Sequence, residues 1–199
     1  MLYPIFISLN RQGEALPGGN CILEVRECVA GSNAVKKVAM NIRAAGADDR
    51  DAIWKILEPV VRAGDTYTLP PDMAQAEALE YWFSAGHEVF VAEENGDILG
   101  TYYLRANQKG GGAHVANCGY ITAPWASGRG VARAMCQDSL KRAKEQGFRA
   151  MQFNFVVSSN ERAVHLWKSM GFEIVGRLPD AFHHPRRGPV DALVMYRQL

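Results

Sequence analysis

From Val35 onward the chain alternates between two spacings of apolar residues. Val35 to Ala44 has strand character. Ala52, Ile53, Ile56, Leu57, Val60 and Val61 then recur every three or four positions, as one buried helix face requires. Asp48 or Asp49 is placed to cap that helix, and Pro59 is expected to end or kink it near Val61. Arg62 to Tyr67 form a polar loop, and Pro71 with Asp72 introduce a second helix through Phe83. Glu88 to Glu93 and Ile98 to Arg105 are predicted strands around Asn95-Gly96-Asp97, whose tolerance of positive φ suits a tight hairpin. Gly110-Gly111-Gly112 is expected to be a flexible connector into a strand from Val115 to Thr122.

A third helix follows. Ala132, Met135, Cys136, Leu140 and Ala143 share one face, Arg133, Gln137, Asp138, Lys141, Lys144 and Glu145 the other, and Gly147 stops it. Phe148 to Val157 is the next strand, interrupted by the polar Gln152 and Asn154. Asn160 to Met170 is a short helix, with Ser158 and Glu161 spaced as a capping box and Gly171 as its stop. Phe172 to Arg177 and Val190 to Tyr196 complete the pattern as an antiparallel pair. Such an order predicts an α/β protein, a mixed twisted sheet with helices on both faces. Residues 1–34 stand apart as an N-terminal extension. Their two strand candidates, Tyr3 to Leu9 and Cys21 to Val29, could form a hairpin joined at Gly31-Ser32-Asn33 to a main domain over residues 35–199.

Composition narrows the function classes. A chain of 199 residues with 48% hydrophobic positions can build one sizeable core, and no run of about 18 apolar residues predicts a membrane span. The opening MLYPIFISLN lacks the features of a secretory leader, so cytoplasmic residence is expected. A net charge of +1 argues against a nucleic-acid partner. The compact basic patch His183-His184-Pro185-Arg186-Arg187 is either an exposed hairpin loop or a contact for an anion. Cys21, Cys28, Cys118 and Cys136 have neither zinc-ribbon pairing nor disulfide density, and the five histidines make no metal motif; no metal is expected.

The chemistry concentrates at Ser127-Gly128-Arg129-Gly130, followed by Val131-Ala132. A helix starting here offers backbone N–H groups without intrahelical partners, and the two glycines open the peptide edges to a close ligand; diphosphate is the natural guest. Together with Asn160-x-x-Ala163-x-x-Leu166-Trp167 and Gly171-Phe172, this turn closely resembles the GNAT superfamily of N-acetyltransferases. The family turn, Gln/Arg-x-x-Gly-x-Gly/Ala, appears as Ser127-x-x-Gly130-x-Ala132, so one phosphate-facing side chain is missing.

That resemblance implies a splayed central strand pair, Val115 to Thr122 and Ala150 to Val157, opening a wedge for the pantetheine of acetyl-CoA. Diphosphate would lie on Gly128, Arg129, Gly130, Val131 and Ala132, with Thr122, Asn160 and Trp167 further along the coenzyme. A backbone N–H near Tyr120 or Ile121 would polarise the thioester carbonyl. Trp167 stands where the family often has a tyrosine that protonates the departing sulfur. Indole cannot do so, which leaves release as thiolate or protonation through water.

A narrower resemblance is to fungal proline-analogue acetyltransferases, through Phe153-Asn154-Phe155-Val156-Val157-Ser158-Ser159-Asn160, Leu166-Trp167 and Asp191-Ala192-Leu193-Val194-Met195-Tyr196. It implies that Asn117 and Asn154 handle the reacting amine. Each is otherwise a buried amide bonded for structure alone, and Asn160 serves equally as a helix cap. Tyr67 and Arg62 are candidates for substrate contact, Arg62 through a carboxylate. The implied partner is a small amine, with a homodimer possible. A peptide or protein N-acetyltransferase and a non-catalytic acyl-CoA sensor are the alternatives.

Overall fold

The structure is a computed structural model and describes residues 40–199. The possible hairpin within residues 1–34, and the start of the strand expected from Val35, lie outside the described residues. The first strand, β1 (Asn41–Ala44), leads through a short 3-10 turn into α1 (Arg50–Ala63). Of the two expected effects of Pro59, ending the helix does not occur: α1 runs past Val61 to Ala63 and stops at Gly64 in the left-handed conformation (φ 59°). A proline inside a helix costs about 3 kcal/mol, whereas each large aliphatic side chain buried returns roughly 1.5–3 kcal/mol. Ile53, Ile56, Leu57 and Val61 are all at most 1% exposed, so burial outweighs the lost bond.

The second helix, α2 (Gln75–Trp82), starts later than Pro71, because Pro70 to Met73 closes a turn in which the Met73 N–H donates to the Pro70 carbonyl. β2 (Glu88–Glu94) and β3 (Asp97–Ala106) form the expected hairpin, with Asn95 and Gly96 at positive φ. The triple glycine is an ordered single 3-10 turn rather than a loose connector. It delivers the chain to β4 (Val115–Thr122).

α3 (Val131–Glu145) and β5 (Ala150–Val157) follow. α4 (Glu161–Ser169) is capped by Asn160, whose Oδ1 accepts the Ala163 N–H at 3.2 Å, in place of the expected Ser158–Glu161 box. β6 (Glu173–His184) and β7 (Gly188–Gln198) reach far beyond their predicted ends. The stretch expected to be a loop is strand, broken by a bulge at Pro179 to Ala181.

Among the described residues the sheet has seven strands in the order β1-β2-β3-β4-β5-β7-β6, and only β4 and β5 are parallel. Side chains at odd positions of β3 face α1 and α2, as the Trp82 Nε1–H···Oγ1 Thr101 bond (3.1 Å) shows. Even positions face α3: a Cβ on Gly100 would lie 2.8 Å from Val131. The helices therefore cover both faces of a mixed sheet, as the sequence pattern requires. The core lies on both sides of β3 and β4, around Trp82 and Ile53 on one face and Tyr102 and Met135 on the other.

Candidate active site

β4 and β5 are joined only at their beginnings, Val115 opposite Ala150 and Ala116 opposite Met151. Beyond that point they diverge. On its other edge, β4 stays in register with β3 throughout. The Asn107 N–H donates to the Val115 carbonyl and the Ala123 N–H to the Leu99 carbonyl, each at 2.8 Å. Strand alternation therefore turns the peptide groups of Val115, Asn117, Gly119 and Ile121 toward β3, and those of Cys118, Tyr120 and Thr122 toward the gap. Of the two oxyanion candidates, Tyr120 faces the opening and Ile121 does not.

Side chains occupy part of what the missing ladder leaves. Asn117, 5% exposed, donates from Nδ2 to the Gln152 carbonyl on β5 at 2.8 Å. Tyr67, from the loop after α1, donates its hydroxyl to the Tyr120 carbonyl at 3.0 Å. Burial raises the Tyr67 phenol well above its ordinary value, so it remains a donor at neutral pH. On β5 the divergence coincides with a bulge, where Asn154 and Phe155 together oppose the single Val194 of β7.

The wedge holds a cavity of about 380 Å³ lined by Tyr67, Tyr103, Arg105, Asn117, Tyr120, Asn154 and Trp167, among others. Gly119 is essential to its shape. A Cβ there would sit 2.6 Å from the Tyr103 ring, which lies across that strand position. Asn154 belongs to a chain of amides: Gln152 Nε2–H donates to Asn154 Oδ1 at 2.8 Å, and Asn154 Nδ2–H donates to Asn107 Oδ1 at 2.7 Å. One further hydrogen remains on the Asn154 amide. Trp167 is 8% exposed and packs against Tyr120 and Phe153, with ring centres 5.0 and 5.1 Å away.

At the mouth of the wedge, α3 begins without any side-chain cap. Gly128 (φ 79°) and Gly130 (φ 81°) take up the left-handed conformation, and a Cβ on either would meet nothing within 4 Å. Open N–H groups at a helix start suit an anion, so the residues present fit a diphosphate. Arg129 extends the other way and pairs with Glu94. Ser127, at the turn position where the family carries Gln or Arg, is reached from α4 by Arg162, whose Nη2 donates to Ser127 Oγ at 3.0 Å. Sequence reading missed Arg162 because the guanidinium comes from a different element than the motif.

Other candidates lie outside the wedge. Arg62 donates to the Pro71 and Met73 carbonyls at 2.6 and 2.9 Å and braces the loop rather than lining the cavity. His114, bonded to the Gly111 carbonyl, does not line the cavity either, and in the basic patch His183, Pro185, Arg186 and Arg187 are exposed while His184 is 6% exposed and accepts the Arg186 N–H. Cys118 does line the cavity, but burial pushes its thiol up to about 12, so it is no thiolate nucleophile at neutral pH. Among the described residues no cluster of three or more His, Cys, Asp or Glu could hold a metal, and no helix is long and apolar enough to cross a membrane.

A central strand pair that splits beside an uncapped glycine turn defines a class, and the comparisons agree. Residues 52–172 match the acetyltransferase (GNAT) family, and the chain belongs to it. It is similar to a GCN5-related N-acetyltransferase from Kribbella flavida, 41% identical with a TM-score of 0.78, covering 81% of this chain and 98% of that one. N-acetyltransferase aca1 of Schizosaccharomyces pombe is 25% identical over 151 residues, 67% of this chain and 72% of that protein. A phosphinothricin acetyltransferase from Sinorhizobium meliloti, solved in complex with AcCoA, shares the fold at 23% identity and a TM-score of 0.71, over 80% of this chain and 88% of that one.

Proposed function

We propose that the protein transfers the acetyl group of acetyl-CoA directly to the nitrogen of a small amino or imino acid, a proline-like secondary amine being the sharpest candidate. The observation that carries this reading is the β4–β5 wedge, with the Tyr120 N–H turned into it and the uncapped α3 turn at its mouth. Acetyl-CoA would supply an activated thioester. Gly128, Gly130, Val131 and Ala132 offer N–H groups to its diphosphate, the Arg129 N–H being bonded to the Ala126 carbonyl, and Arg162 provides the positive charge that Ser127 lacks. The Tyr120 N–H, fixed in direction by the β3–β4 ladder, is placed to stabilise charge growing on an acyl oxygen.

Asn117 and Asn154 line the cavity from opposite sides of the split. Both amides are oriented by neighbours on β5 or beside it, which favours one pose for a small amine. Among the described residues no histidine or carboxylate lines the cavity, and in this reading the amine proton leaves through water. Tyr67, Tyr103 and Tyr120 are no substitute base, since burial raises each above its usual range. Trp167 packs as a wall, and water also serves the departing sulfur.

The test is release of free CoA from acetyl-CoA by purified protein, across azetidine-2-carboxylate, other proline analogues, ordinary amino acids, polyamines and short peptides. Turnover of imino acids above the rest is expected. Robust turnover of peptides alone would make this a peptide N-acetyltransferase. Tight acetyl-CoA binding without CoA release from any amine would make it a sensor.

A further inference from the structure

The cavity has one feature that neither the family turn nor the asparagines account for. Arg105 lines it from β3, directly opposite Asn117 on β4. Odd positions of β3 face α1 and α2, so Arg105 shares a face with Tyr103, whose ring lies across Gly119 on the neighbouring strand. Its Nε is buried with no hydrogen-bond partner, and it makes no ion pair with any carboxylate among the described residues. Several other arginines of the fold are paired with carboxylates: Arg43 with Asp49 and Glu93, Arg142 with Asp138, Arg129 with Glu94.

An unpaired buried guanidinium N–H costs roughly 1–3 kcal/mol or more, a penalty that persists only where something else answers the group. Among the described residues no aspartate or glutamate lines the cavity, and Arg105 is the one charged side chain that does. Guanidinium presents a planar fork of donors that matches a carboxylate.

We infer that Arg105 is the carboxylate anchor of the acceptor site, and that the enzyme takes amines bearing a carboxylate and discriminates against uncharged amides and against polyamines. This rests on the N-acetyltransferase reading above and narrows its substrate class. It also moves carboxylate recognition from Arg62, which the loop carbonyls occupy, to a residue inside the wedge. A site whose one charged group is a half-buried guanidinium with a shielded, unpaired Nε–H rejects a polycationic amine by repulsion and an amide by leaving that N–H unanswered.

The test uses amino and imino acids and their carboxamides with wild-type protein, Arg105→Gln and Arg105→Lys. Wild type is expected to favour each acid over its carboxamide at least tenfold in kcat/KM. Arg105→Gln should raise KM for the acid roughly 10- to 100-fold, leave KM for acetyl-CoA and for the carboxamide unchanged, and be partly rescued in Arg105→Lys. Equal use of acid and carboxamide by wild type, or a parallel loss for both in Arg105→Gln, overturns the inference. Should Arg105→Gln fail to fold, the wild-type comparison and Arg105→Lys decide on the same criteria. If no amine is acetylated, the enzymatic reading fails by itself, and calorimetric titration of the acids in the presence of CoA decides this one. Binding that is lost on removing the carboxylate upholds it, and no binding by wild type overturns it.

Discussion

Asn154 interrupts a mostly apolar strand at the bulge where β5 diverges from β4. A half-buried amide costs free energy unless its donors and acceptors are met, and Gln152 and Asn107 meet two of them. The remaining N–H is the one available to a ligand. Asn154→Ala should therefore lower kcat by about 10- to 100-fold while leaving acetyl-CoA affinity within about twofold, measured by steady-state rates and by titration. Equal activity would remove Asn154 from the reaction. Arg162 works at the other end of the wedge. Arg162→Ala should weaken acetyl-CoA binding by about five- to tenfold with kcat at saturation unchanged, because one charge-assisted contact to a solvent-facing phosphate is lost. Neither Arg105 nor Arg162 could be recognised by spacing. Arg105 is an ordinary polar position in an alternating strand, and its isolation from any acid appears only when the sheet is assembled.

The helices and the central strands were readable because each signal is local: apolar residues at helical spacing in α1 and α3, Asn95-Gly96 between β2 and β3, and glycines that stop α3 and α4. Where sequence reading failed, a longer-range effect prevailed. Pro59 is accommodated because four aliphatic side chains of α1 are buried together. The last hairpin is longer than predicted because β6 and β7 resume pairing beyond the bulge, Phe182 to His184 opposite Val190 to Gly188, and that ladder holds residues whose own propensities suggest a loop. The cap of α4 is Asn160 rather than Ser158, and Asn160 also lines the cavity. The two roles separate by substitution. Asn160→Ala should cost about 1 kcal/mol, seen as a fall of about 2–4 °C in Tm. Asn160→Ser keeps a capping oxygen and should restore Tm. If acetyl-CoA affinity recovers with it, the residue acts only through the helix; if affinity stays low, the amide itself touches the co-substrate.

Over the whole molecule, stability and the acceptor site meet at His87. The imidazole stacks on Tyr103 at 4.1 Å between ring centres and bonds the Trp82 carbonyl at 3.0 Å, with Ser84 Oγ 3.3 Å away. Burial lowers its pKa below the ordinary 6.5, the Trp82 carbonyl opposes that shift, and the charge of Arg105 adds to it. The folded protein thus holds His87 neutral where the unfolded chain would already take up a proton. Its contribution is fully present above pH 6.5 and is lost as pH falls through the folded value, below which the slope disappears. Asp49 and Asp191 are held below 3.8 by Arg43 and by the Asp180 N–H with Arg177, so their losses belong to a separate, more acidic window. Tm should therefore fall between pH 7.5 and 5.5 in the wild type and fall less in His87→Asn, measured by thermal melts in matched buffers. Because Arg105 contributes to the shift, Arg105→Gln should move the His87 titration upward toward 6.5 when followed by NMR. A saturating carboxylate ligand, by neutralising the guanidinium, should move it in the same direction. An unchanged His87 titration in both experiments would mean that the two groups do not share a field, and that the acceptor pocket is electrostatically separate from the core behind it.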